Sequence, residues 1–150
     1  MDWQQQAKTV FDVPKPEHFT EYQHCCECAE HDATLLACDR DSIGVEQLGN
    51  PGWDPLCFSS VAGFLYYLPA LVRITLATID KPQETYLDQF LFHLIHDGPE
   101  NRFVRACSRE QREFIAGFLA YLIEHHVTQI EATLCYSDDI LKAHQIWSVR

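Results

Sequence analysis

Ser108-Arg109-Glu110-Gln111 is the strongest local instruction in the chain. A serine followed three residues later by glutamine can satisfy two orphan N–H groups at a helix start. Phe114, Ile115, Phe118, Leu119, Leu122 and Ile123 then recur at helical spacing as a single apolar stripe. A helix with one oily side must bury it against other elements, and the rest of the chain supplies more helices. Tyr86, Leu87, Phe90, Leu91, Leu94 and Ile95 predict a helix from Glu84 to about His96. Ile130, Leu134, Ile140, Leu141 and Ile146 predict helix over 128–147, with a break at Ser137-Asp138. Arg102 to Cys107 alternates too briefly to choose between strand and loop.

Val61 to Ile79 is an apolar run with one charge, Arg73. Its length approaches that of a membrane span, but Pro69 interrupts it, and Arg73, Thr75 and Thr78 would lack partners in hydrocarbon. The expected reading is two short buried helices meeting at Pro69, the first capped by Ser59. No membrane association is expected.

Toward the N-terminus the signals are shorter. Residues 1–19, with Val13-Pro14-Lys15-Pro16, read as an extended N-terminal lead-in. Thr20-x-x-Gln23 is a capping-box pattern, predicting a helix from about Glu21 into the His31 region, with Asp32 capping a further turn. Ile43 to Leu48 reads as a short helix stopped by Gly49, and Asn50-Pro51-Gly52 as a turn. Five or more helices with little or no sheet make an all-α, single-domain bundle over 1–150 the expected fold, with 20–60 an acidic Cys/His-bearing segment.

Charge narrows the partners. The net charge is −11, and it is uneven: residues 1–60 hold 11 acidic and 3 basic side chains, residues 61–150 hold 11 and 8. Such a chain repels a phosphate backbone, so nucleic acid is not an expected partner; cations and basic proteins are. Met1 to Gln6 has neither the basic start nor the apolar core of a signal peptide. A cytoplasmic setting is expected, with the seven cysteines as thiols or metal ligands.

The densest chemistry is His24-Cys25-Cys26-Glu27-Cys28-Ala29-Glu30-His31. Cysteine and histidine are the usual ligands of zinc, and Cys25-x-x-Cys28 is a common half-site. On one unbroken helix His24 and His31 lie about 10 Å apart along the axis, too far to share an ion. Cys25 with Cys28, His24 with Cys28, and Cys28 with His31 are the feasible pairs, so Cys28 is central. A zinc site of Cys25, Cys28, His31 and Cys57 is expected, with His24, Cys38, His93 and His96 as secondary candidates. The competing reading makes the cysteines small hydrophobes on a half-buried helix, with the histidines at the surface. A nucleophilic thiol is disfavoured, because Glu21, Glu27, Glu30 and Asp32 would raise its pKa.

Glu21-x-x-His24 has the carboxylate–histidine spacing of di-iron bundles, which need the motif on two helices, but the chain has no second Glu-x-x-His; it also lacks a nucleophile elbow and a phosphate-binding glycine loop. Trp53-Asp54-Pro55 reads as a turn in which Asp54 receives backbone N–H groups and Trp53 plugs the core. Arg102, Arg105, Arg109 and Arg112 read as a salt-bridged surface. No catalytic residues are expected. A metal-binding protein rather than an enzyme is the leading expectation. The alternatives are an immunity-like inhibitor of a basic toxin or nuclease, and a metal-dependent hydrolase of unknown substrate with Glu27 or Glu30 as base.

Phe64-Leu65-Tyr66-Tyr67-Leu68-Pro69-Ala70, the Ser108-Arg109-Glu110-Gln111 cap and Phe118-Leu119 resemble a family of small uncharacterised bacterial proteins. The resemblance covers the middle and later two-thirds of the chain. It implies a bacterial, cytoplasmic, mainly helical protein, and it does not extend to the His24–His31 cluster.

Overall fold

In a computed structural model, residues 1–132 and 136–149 are described. The fold is all-α: the elements among these residues are helices, and the only bridge pairing is the Asn50–Trp53 contact that closes the Asn50-Pro51-Gly52 turn. The residues pack into two compact units, Asp2–Ile74 and Thr75–Arg150, with Met1 grouped in the latter.

The first unit begins with a helix where an extended lead-in was expected. In α1 (Trp3–Val10) the Asp2 carboxylate accepts the Gln5 N–H at 3.0 Å, and Ala7 and Phe11, one turn apart, are fully buried. An N-cap and one apolar stripe suffice for two turns; the prolines that suggested extension follow the helix. Residues 11–25 then run without regular structure to α2 (Cys26–Leu36). Helix α2 therefore starts five residues later than Thr20-x-x-Gln23 predicts. Thr20 faces inward instead: its hydroxyl donates to the Cys28 carbonyl at 2.7 Å and its N–H to Asp32 at 3.1 Å. Asp32 sits within α2 and caps no further turn.

The C-terminal end of α2 leaves carbonyls with no partner in the helix. Lys15 Nζ donates to Leu36 and Cys38, and the Tyr67 hydroxyl lies 2.5 Å from the Leu35 carbonyl oxygen and 2.9 Å from that of Cys38. Helix α3 (Val45–Leu48) ends at Gly49, whose φ of 70° suits glycine; a Cβ there would strike the Trp53 carbonyl. After the turn, Asp54 accepts the Leu56 N–H and opens a 3-10 turn, Pro55–Phe58, that packs on α2.

Helix α4 (Val61–Thr78) is continuous through Pro69, not two helices. Proline removes one hydrogen bond, to the Leu65 carbonyl, but the apolar faces on either side of it are buried, and burial outweighs that loss. The cap is Ser60, not Ser59: Ser60 Oγ accepts the Gly63 N–H at 3.1 Å, while Ser59 Oγ donates to the Ser60 carbonyl. Among the described residues α4 is the one helix long and apolar enough to cross a membrane, and 72% of it is buried inside the protein, as in a core helix. Arg73 finds its partners in the Arg40 and Ile43 carbonyls, at 3.2 and 2.7 Å.

The second unit holds α5 (Leu87–Ile95), α6 (Arg102–Ala106), α7 (Arg109–His125), α8 (Val127–Glu131) and α9 (Tyr136–Trp147). The Ser108/Gln111 capping box forms as read, and α7 and α5 both pack on α9. Phe90 meets Phe118 edge to face, and Trp147 Nε1 donates to the Leu94 carbonyl at 3.0 Å. The undecided Arg102–Cys107 stretch is helical because Asn101 caps it, accepting the Phe103 and Val104 N–H groups. The expected interruption of the 128–147 helix is found as two helices, α8 and α9, but Ser137-Asp138 lies in the first turn of α9 and not at the break; acidic residues suit a first helical turn. Leu134 lies outside the described residues. The arginine cluster is internally satisfied: Arg105 pairs with Glu100, Arg109 with Glu113, and Arg112 donates to the Cys107 carbonyl.

Candidate metal centre

Helix α2 begins with its sulfurs. Cys25 is the N-cap residue, in extended conformation, and its Sγ accepts the Cys28 N–H at 3.4 Å. His24 closes the preceding turn through its N–H to the Glu21 carbonyl, and its Nδ1 lies 3.8 Å from Cys28 Sγ. The donor atoms of His24, Cys25 and Cys28 all lie within 4.8 Å of one another. Zinc bonds of about 2.0–2.3 Å place tetrahedral ligand atoms about 3.3–3.8 Å apart, so the three need only small side-chain rotations to reach one ion. His24 and Cys25 are exposed, and Cys28 is 8% exposed at the inner wall of the cluster.

The two sulfurs are electrostatically unlike. The Cys28 N–H, then His24 and Cys28 side-chain bonds, bring the Cys25 thiol down to about 7. Its bond to Cys25, then partial burial and the charges of Cys25, Glu27 and Glu21, push the Cys28 thiol up. The expectation that acidic neighbours would raise the thiols holds for Cys28 and fails for Cys25. At the helix start the Cys28 and Glu27 N–H groups bond the Cys25 sulfur and favour its thiolate.

His31 departs from the expected ligand set. It is 1% exposed, with its ring against Trp53 at 4.5 Å and Phe58 at 4.7 Å. Its Nε2 is buried, has no hydrogen-bond partner, and lies 3.7 Å from Glu27 Oε1. His31 is thus neither part of the Cys25/Cys28 cluster nor at the surface, where the packing alternative put it. Trp53 is 43% exposed, so it covers the His31 ring instead of plugging the core. Cys57 sits exposed on the 3-10 turn and Cys38 half-buried after α2; neither joins His24, Cys25 and Cys28. In the second unit, His93 is buried in α5 while His96 lies past its end, 62% exposed, so this pair does not converge. Their carbonyls both accept from Asn101 Nδ2.

Asp32 is a polar centre that spacing did not reveal. Its carboxylate accepts from Phe19 N–H at 2.6 Å, Thr20 N–H at 3.1 Å and His18 Nδ1 at 2.7 Å, and the His18 ring stacks on Tyr22. This network fixes the segment that leads to His24. The available signal was a lone aspartate on the apolar side of a helix, 14 residues beyond a histidine. No family model, curated protein or solved structure matches the chain.

Proposed function

We propose that the first unit binds one divalent transition-metal ion, zinc by its donor chemistry, through His24 Nδ1, Cys25 Sγ and Cys28 Sγ, and that the protein acts by binding rather than by catalysis. The carrying observation is the mutual approach of two thiols and one imidazole within 4.8 Å at the start of one helix. Two sulfurs and a nitrogen favour zinc over magnesium or calcium, which take oxygen ligands. The fourth position goes to water or to a carboxylate of Glu21 or Glu27, whose charges bear on the Cys28 sulfur.

The experiment is metal analysis of untagged protein, with cobalt substitution to report the ligands. Wild type is expected to hold zinc that Cys28→Ser and Cys25→Ser lose, and its cobalt form is expected to show a thiolate charge-transfer band. His24→Ala should weaken binding by at least about tenfold. His31→Phe, which keeps a ring between Trp53 and Phe58, should keep the zinc. Zinc content indifferent to Cys28→Ser overturns the proposal.

A further inference from the structure

We propose that Cys25 and Cys28 are a reversible dithiol pair, oxidised to an intramolecular disulfide by hydroperoxides, and that this oxidation empties the metal site. The second clause rests on the metal reading above; the first stands on the geometry of the two sulfurs. Residues three apart at a helix start are neighbours, within the Cα separation a disulfide spans. Their sulfurs already lie within 4.8 Å, and Cys25 stands exposed in the extended N-cap position with its sulfur turned toward the Cys28 N–H.

Exposure assigns the order. Cys25 is open to solvent and Cys28 is 8% exposed, so an oxidant reaches Cys25 first. The Cys25 sulfur, as thiolate, attacks one oxygen of the hydroperoxide. An S–O bond forms, the O–O bond breaks, and the leaving oxygen departs as hydroxide or alkoxide and takes a proton. Cys28 then attacks the Cys25 sulfur of that sulfenic acid. The S–S bond forms, the S–O bond breaks, and hydroxide leaves as water with the proton from Cys28. His24 Nδ1, 3.8 Å from Cys28 Sγ, is placed to pass that proton. Two thiols lose two electrons and two protons, and the hydroperoxide is reduced to water and water or alcohol. A disulfide sulfur is no thiolate ligand, so both sulfur donors leave the ion together.

Two neighbours sharpen the assignment. Cys26 is exposed beside Cys25, but adjacent cysteines cannot pair without distorting the peptide bond between them. Glu21 and Glu27 bear on the Cys28 sulfur and give the cluster an acidic setting. That field repels anionic oxidants such as glutathione disulfide, whereas a neutral hydroperoxide meets no such barrier.

The test uses the full-length protein in chelator-stripped and zinc-loaded forms, treated with hydrogen peroxide. In the stripped form the expected product is a loss of about 2 Da, with Cys25 and Cys28 peptides linked and the link reversed by dithiothreitol. Cys26→Ser should behave as wild type, and Cys28→Ser should stop at a Cys25 sulfenic acid trapped by dimedone. In the loaded form, zinc should appear on a colorimetric chelator in step with the disulfide. Increasing salt should speed oxidation by glutathione disulfide and leave the peroxide rate unchanged. Products confined to sulfinic acid, to a Cys26 link or to intermolecular dimers overturn the pair. A Cys25–Cys28 disulfide in protein that never takes up zinc overturns the release step and the metal reading, but not the pair. Zinc retained by fully disulfide-linked protein overturns the release step alone.

Discussion

Asp32 lies inside α2 and holds down a segment remote in sequence, because its carboxylate receives three donors from His18, Phe19 and Thr20. Burial by itself would raise its pKa; the His18 bond and the two N–H bonds outweigh that and leave it lowered. A carboxyl held below its usual value gives up in the folded state a proton that the unfolded chain keeps. Its contribution to stability is therefore complete above the unfolded value of about 4, and is lost as pH falls through the folded value. Asp32→Asn keeps the shape but removes the charge, and should cost about 1.5–3 kcal/mol at pH 7. Urea denaturation of both proteins at pH 7 and near pH 3 checks this: the gap should narrow in acid. A gap independent of pH, or one below about 0.5 kcal/mol at pH 7, would show that the charge contributes little. At this scale the sequence was legible where residues act locally, as at Ser108 and Gln111. Asp32 and His31 were misplaced, and His18 was passed over, because their partners come from across a loop or from the 3-10 turn, and no spacing rule along one helix reaches them.

Periodicity located the elements better than their ends. Helix α7 was readable in full, since its cap and its stripe agree. Helix α2 was displaced by a capping box that was real as a pattern and false as a cap: Thr20 is drawn inward by the Cys28 carbonyl and Asp32. Helix α4 was split at Pro69 because the local cost of proline is visible in sequence and the burial opposing it is not. Its start offers two tests. Ser60→Ala removes the oxygen that accepts the Gly63 N–H and should cost about 1 kcal/mol. Gly63→Ala sets two effects against each other. Alanine gains about 1 kcal/mol in helix propensity, but its Cβ would lie 2.5 Å from Ser59 Oγ and 2.6 Å from the buried Phe19 ring. Overpacking against a fully buried ring costs about 1–3 kcal/mol, so a net loss of stability is expected. Thermal melts decide it, and a Gly63→Ala protein more stable than wild type would mean that Phe19 yields easily.

On the scale of the whole molecule, the all-α class was legible because every strong pattern has helical period. Which donors meet at the candidate metal centre was only partly legible. Cys28 was central in the sequence, since each feasible pair contained it, and in space its donor atom lies with those of His24 and Cys25. The choice between His24 and His31 depended on where α2 starts and on which side of Cys28 the aromatic rings of Trp53 and Phe58 cover, and neither is written in the spacing. An ion held at the proposed site would also couple this corner to the stability of the chain, because an ion that binds the folded state alone stabilises it by mass action. At a free zinc concentration one hundred times Kd the gain is about 2.7 kcal/mol. Zinc-loaded protein is therefore expected to melt several degrees above chelator-stripped protein, reversibly, and Cys25→Ser should abolish the difference. Hydrogen exchange should locate the effect: zinc should slow exchange at the Cys28 amide, which donates to Cys25 Sγ, and in the first turn of α2. Amides in α7, which belongs to the second unit and supplies none of the proposed ligands, serve as the comparison. Slowing confined to α7, or a melting shift that persists in Cys25→Ser, would place the stabilising ion somewhere other than the start of α2.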